Sequence, residues 1–273
     1  MVRRSAFVGG SRALRSVTMV ACLAAIVVAL ADCGGDGDGV QAGDAGTTVA
    51  GPATTDTSTP PYAPEIDPAE FTTAIDNPWL PLRPGTVWVY EGRGEAEGER
   101  IVVEVTSETR VVMGVECVVV RDTVSEDGEV VEDTFDWFAQ DAEGNVWYFG
   151  EDTKDYEDGE VVSTEGAWEA GVDGAQPGIV MPGIPKVGDA YRQEYLAGEA
   201  EDMGEILSLD ERAVVPFGTF DPVLQTKDFT PLEPGVVEHK FYAEGIGLVL
   251  EVKVEGGEER VELVEHNGKE QAT

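Results

Sequence analysis

The sequence predicts a mainly β domain: an antiparallel meander forming an open curved sheet or a partly closed barrel, preceded by one short N-terminal helix. Two observations predict it. From residue 86 onward apolar and polar side chains alternate with a period of two, as in Ile101, Val103 and Val105 against Glu104, Thr106 and Glu108. Short glycine turns separate the runs, at Asp127-Gly128, Glu143-Gly144-Asn145, Asp158-Gly159 and Gly256-Gly257. Strands that succeed one another across tight turns pair antiparallel with their neighbours, which is a meander.

The chain begins with an address. Arg3, Arg4, Arg12 and Arg15 form a positive region ahead of an uncharged apolar run from Val17 to Ala31. That run suits a signal peptide and is short for a membrane span, which needs roughly 20 residues. Residues 1–32 therefore read as a signal peptide. Leu30-Ala31-Asp32-Cys33, followed by Gly34-Gly35, resembles a bacterial lipobox, with Asp32 where Gly, Ala or Ser ordinarily precedes the cysteine. The resemblance implies acylation of Cys33 and a protein anchored on the outer face of the cell membrane by its N-terminal lipid. The competing site, Ala29-Leu30-Ala31, would release a secreted protein.

Residues 33–64 are Gly, Thr, Asp, Ala and Pro with almost no large apolar side chain, a tether that cannot offset its own ordering entropy. A coil of ~30 residues reaches roughly 30 Å. The globular domain is expected over 65–267, with 268–273 as a tail. Asp67-Pro68-Ala69-Glu70 reads as a helix start, with Asp as N-cap and Pro at the first helical position, and Ile66 and Phe71 stand at the two staple positions. Asn77-Pro78 ends it. Strands are then expected around 101–105, 117–124, 131–137, 145–149, 160–168, 189–196, 205–209, 212–217, 236–243, 247–255 and 260–265. In these, the charged members are assigned to water and the apolar members to the core. Gly171 to Gly188, with Gln176-Pro177-Gly178 and Met181-Pro182-Gly183, reads as an irregular apolar loop that caps the sheet or acts as a lid.

Asn77-Pro78-Trp79-Leu80-Pro81 leading into Trp88-Val89-Tyr90, the run Asn145 to Glu151, Tyr191 to Tyr195, and Lys240 to Leu248 resemble segments of uncharacterised secreted bacterial proteins and lipoproteins. The resemblance covers most of residues 70–265. It implies a stand-alone envelope β domain and brings no catalytic residues. At the level of architecture alone, the pattern is similar to the half-barrel lipid carriers of the bacterial envelope.

Composition excludes several chemistries. The formal net charge is -36, from 54 Asp and Glu against 18 Lys and Arg, and a field of that sign repels nucleic acid. There are three cysteines and two histidines, no C-x-x-C pair, no G-x-S-x-G elbow and no phosphate-cradling glycine loop. No enzymatic activity and no obligatory cofactor is expected. The aromatic strands beside the apolar loop point to a small apolar or lipid-like ligand, with Trp147, Trp168, Met181, Tyr191 and Tyr195 as lining candidates. Glu199, Glu201 and Asp202 crowd one turn and form a weak calcium candidate, which would make the domain a calcium-stabilised structural or adhesion module. A third reading, a carboxylate-dependent glycan hydrolase, would draw on Glu151, Glu165 or Glu194.

Overall fold

A computed structural model describes residues 62–267. The signal peptide, Cys33, most of the tether and the tail lie outside the described residues. Sixteen strands follow a single 3₁₀ turn at Pro68–Glu70. They are β1 (Phe71–Thr72), β2 (Val87–Gly94), β3 (Glu99–Val112), β4 (Val115–Glu126), β5 (Glu129–Asp141), β6 (Val146–Glu157), β7 (Glu160–Ser163) and β8 (Trp168–Glu169). Then come β9 (Gln176–Met181), β10 (Ala190–Arg192), β11 (Glu194–Tyr195), β12 (Met203–Val215), β13 (Gly218–Phe229), β14 (Val237–Ala243), β15 (Gly247–Glu255) and β16 (Glu259–His266). Among the described residues no helix is long and apolar enough to cross a membrane.

The predicted meander is present twice. β2 to β6 pair in chain order, as do β12 to β16, and β16 pairs with β2 to join the two halves. The sheet runs β10-β12-β13-β14-β15-β16-β2-β3-β4-β5-β6-β9-β11. Its two end strands, β10 and β11, are consecutive in the chain and separated only by Gln193. The backbone itself therefore bridges the seam, and the sheet curls into a nearly closed barrel. At that seam β9 passes so close that a Cβ on Gly178 would lie 2.4 Å from the carbonyl carbon of Gln193.

Four expectations need correction, three of them local. The short helix is one 3₁₀ turn: Asp67 caps it, accepting from the Ala69 amide at 3.0 Å, but Phe71–Thr72 then pairs with β5 and ends it. Ile66 and Phe71 each pack, partly buried, against the core, and Phe71 is the C-cap of the turn. The irregular segment contains strand β9, hydrogen-bonded to β6 on one side and β11 on the other. Pro177 is tolerated there because the pairing with β6 reaches only to Gly178, so its missing N–H falls beyond that ladder. The segment is thus barrel wall, while Ile184 and Val187 of the following loop stay exposed. Finally, β13 has no counterpart among the expected strands. It carries Asp221-Pro222, and Pro222 sits at a register shift against β12 and beyond the end of the β14 pairing, where no ladder donor is needed.

The largest correction concerns which face is inside. On β3 the expected alternation holds, with Ile101, Val103 and Val105 buried and Glu104 exposed. On β5 it is inverted. Glu132, Thr134 and Asp136 are buried, whereas Val131 and Phe135 are half-buried on the outer face. Closing the sheet makes the interior common to every strand, so the face of each strand is set by its register with its neighbours.

Candidate functional site

The inward faces carry apolar side chains at one level and a polar belt at another. Inside β4, Val118 and Val120 precede Asp122, and inside β13 Leu224 precedes Thr226 and Asp228. Cross-strand register brings the belt together: Asp136 stands opposite Glu151, Thr134 opposite Thr153, and Lys240 opposite both Thr226 and Glu251. The hydroxyls of Thr134 and Thr153 are 2.6 Å apart, and Thr134 donates to Glu132 at 2.9 Å.

One side of the belt supplies its own cations. Lys240 Nζ lies 3.5 Å from Asp228 and 3.6 Å from Glu251, and Lys253 Nζ lies 2.7 Å from Glu259. Burial pushes the Lys240 ammonium down, but Glu251 and Asp228 outweigh it and hold the pKa well above the ordinary lysine value. Gln193 Nε2 donates to Asp228 at 2.9 Å, so the residue that bridges the seam also belongs to this network.

The other side has no such lysine. Asp122, Glu132, Asp136, Glu151 and Glu194 are all buried, and no ion pair to any of them is formed among the described residues. Burial, reinforced by the neighbouring carboxylates, raises Asp122, Glu151 and Glu194 well above the ordinary carboxyl range. Burial also lifts Glu132 to about 7, and Asp136 to about 7 despite the Tyr148 hydroxyl donating to it at 2.7 Å. Asp122 Oδ1 and Glu194 Oε2 have no hydrogen-bond partner. The Trp168 indole beside Glu194 offsets part of its shift, although Trp168 Nε1 makes no hydrogen bond of good geometry.

A cavity of about 690 Å³ opens on this side, which has no buried lysine. Gly150 makes it possible. Its φ is +126, and a Cβ there would fall 2.3 Å from the Trp168 carbonyl oxygen, so only glycine lets β8 lie against β6. That approach places Trp168 opposite Glu151 and edge-on to Tyr148, whose ring in turn stacks on Phe138 at 4.9 Å. Glu151, Trp137 and Trp168 line the cavity, with Val172 and Leu196 from the flanking loops. Arg110 also lines it, but its guanidinium stacks 4.0 Å over Trp137 and is ion-paired with Glu169.

The expected lining residues disperse. Trp168 and Glu199 border the cavity. Trp147 packs edge-on against Phe71 at 6.0 Å, its indole N–H donating to Asp141 at 2.8 Å. Met181 is fully buried in β9. Tyr191 is half-buried with its hydroxyl inside and unpartnered. Tyr195 stands edge-on to Tyr62 at 5.8 Å with Arg192 over its ring. The calcium candidates do not converge: Glu199 is exposed, Glu201 accepts from the Gly198 amide and faces Arg192, and Asp202 turns into the polar belt. Among the described residues no group of three or more acidic, His or Cys side chains has the arrangement to hold a metal ion. Of the three hydrolase candidates, Glu151 and Glu194 join the same buried cluster and Glu165 lies exposed on a turn.

Sequence reasoning missed Asp122, Glu132, Asp136, Lys240, Glu251 and Lys253. The available signal was Lys240 two residues from Tyr242, and Lys253 four from Val249: charged side chains on the apolar face of a strand.

No family model matches the chain, and no curated protein matches it. Two solved structures are similar to it. One is a candidate exported protein with a YmcC-like fold from Bacteroides fragilis, at TM-score 0.41 and 14% identity, covering 69% of this chain and 98% of that one. The other is a candidate lipoprotein from Parabacteroides distasonis, at TM-score 0.37 and 13% identity, with the same coverage. At these scores neither likeness carries weight for fold or for function.

Proposed function

We propose that this chain is an exported, membrane-tethered and non-enzymatic binding domain whose small-molecule ligand occupies the cavity between β5, β6 and β8. The observation that carries it is the cavity: about 690 Å³, within the range of small-molecule sites, walled by paired strands and lined by a buried acid, Glu151, and two indoles, Trp137 and Trp168. Trp137, Trp168, Val172 and Leu196 suit the apolar body of a ligand, while Glu151 is a polar group that would fix its orientation. Export and anchoring rest on the leader and Cys33. The tether would hold the cavity clear of the bilayer while keeping it within reach of the envelope.

Native mass spectrometry of the full chain extracted from membranes tests the binding reading. A co-purifying small molecule is expected on the wild type and absent from Leu196→Trp, which puts a bulkier side chain at a lining position of the cavity. No adduct on either protein, with no change on adding membrane extract, counts against a binding domain.

A further inference from the structure

The polar belt holds nine buried carboxylates, Asp122, Glu132, Asp136, Glu151, Glu194, Asp202, Asp228, Glu251 and Glu259, against two buried lysines. A carboxylate removed from water is tolerated when it is protonated, paired or hydrogen-bonded. Lys240 and Lys253 answer the side built from β13, β14, β15 and β16. Among the described residues no ion pair answers the side built from β4, β5, β6 and β11, where Lys240 acts on Glu194 only from a distance, and Asp122 Oδ1 and Glu194 Oε2 accept no hydrogen bond of good geometry. Glu194 is 2% exposed and Glu151 4% exposed. The cavity opens on this side and reaches Glu151, whose side chain forms no ion pair among the described residues.

Resting on the reading of the cavity as a binding site, we propose that its ligand is a small organic ammonium ion with an apolar body, the charged head seated on Glu151 in the position of a missing third lysine. The lining supports this in three ways. Arg110, the one cation in the wall, is already engaged by Glu169 and Trp137, so it does not compete for Glu151. Asp173 and Glu199 at the edge add negative potential that draws a cation inward. The carboxylates also do not converge as a metal ion requires, whereas an ammonium needs only one or two oxygens at hydrogen-bond distance. The apolar part of the ligand would lie against Val172, Leu196 and the edges of the two indoles.

The test uses the full chain and two probes of equal shape, phenethylammonium and 2-phenylethanol, titrated by calorimetry and by tryptophan fluorescence at neutral pH. The ammonium is expected to bind at least about tenfold more tightly than the alcohol, and Glu151→Gln to bring the two within about threefold of each other. Far-UV circular dichroism confirms that the variant is folded, and Leu196→Trp is expected to abolish binding of both probes. Equal affinity for the two probes on the wild type would overturn the ammonium assignment while leaving the cavity as a binding site. No binding of either probe, with fluorescence unchanged, would overturn both.

Discussion

Lys253 Nζ lies 2.7 Å from Glu259 Oε2, and both side chains are buried inside the barrel. The pair bridges the hairpin from β15 to β16, the strand that closes the two meanders onto β2. Nearby, Lys240 is shared by Asp228 and Glu251. Removing one member of such a pair strands the other charge in a medium that solvates it poorly. Lys240→Met is therefore expected to destabilise the fold by about 3–5 kcal/mol. Adding Asp228→Asn and Glu251→Gln to it should recover much of that loss. Urea unfolding of the three proteins checks both expectations.

The buried acids whose pKa values burial raises set the pH dependence of stability. Burial holds Glu99, Glu132, Asp136 and Asp202 near 7 and Glu251 near 8, all above their ordinary values. Folding raises these pKa values, so the native state binds more protons than the unfolded chain between about pH 4 and 8. Their contribution is complete below the unfolded pKa and is lost as pH rises through 7 to 8. The thermal midpoint is expected to be higher at pH 5 than at pH 8. Asp136→Asn, which keeps an acceptor for the Tyr148 hydroxyl, should flatten the curve and raise the midpoint at pH 8. A midpoint that climbs from pH 5 to pH 8 would contradict this account.

Closure of the barrel depends on backbone approach at Gly178. A methyl group there meets Gln193 carbon at 2.4 Å and the Arg192 carbonyl oxygen at 2.5 Å, neither of which is the end of a flexible side chain. Gly178→Ala is expected to cost about 3 kcal/mol or more, since β9 and the β10–β11 link must part. Gly128→Ala, in a turn with φ +88 and open space around it, carries only the backbone strain of about 1–3 kcal/mol. Amide exchange should show β9 and β11 deprotected in Gly178→Ala alone.

Two tyrosines whose hydroxyls are buried should respond in opposite ways to loss of that hydroxyl. Tyr148 donates to Asp136, so Tyr148→Phe leaves a buried acceptor without its donor, at a cost of about 1–3 kcal/mol. The Tyr191 hydroxyl has no partner, so Tyr191→Phe is expected to be neutral or stabilising by about 1 kcal/mol. Thermal melts of the two variants at one pH provide the comparison.

The tether gives a prediction of its own. With Cys33 acylated, Cys33→Ser is expected to move the protein from the membrane fraction to the soluble fraction of the envelope. The intact mass of the wild type should then exceed that of the chain beginning at Cys33 by the acyl groups. A wild-type mass that begins at Asp32 without lipid would assign the protein to secretion.

What the sequence determined by itself is the β class, the antiparallel meander and most of its hairpins. Ile101, Val103 and Val105 announce β3, and the glycine turns at 128, 144, 159 and 256 announce hairpins, because period-two alternation and turn chemistry are local properties of the backbone. Asn145 was readable as a hairpin turn for the same reason, and Asp141 duly caps it by accepting from two amides. Only the tertiary structure decided which face of β5 is inside, that β9 is wall, and that Asp136, Glu151 and Glu194 share one side of a polar belt. Alternation distinguishes two faces of a strand without naming the buried one. That choice follows from the register of β16 on β2 and from the Gln193 bridge, contacts between residues far apart in the chain whose combined closure no single strand encodes.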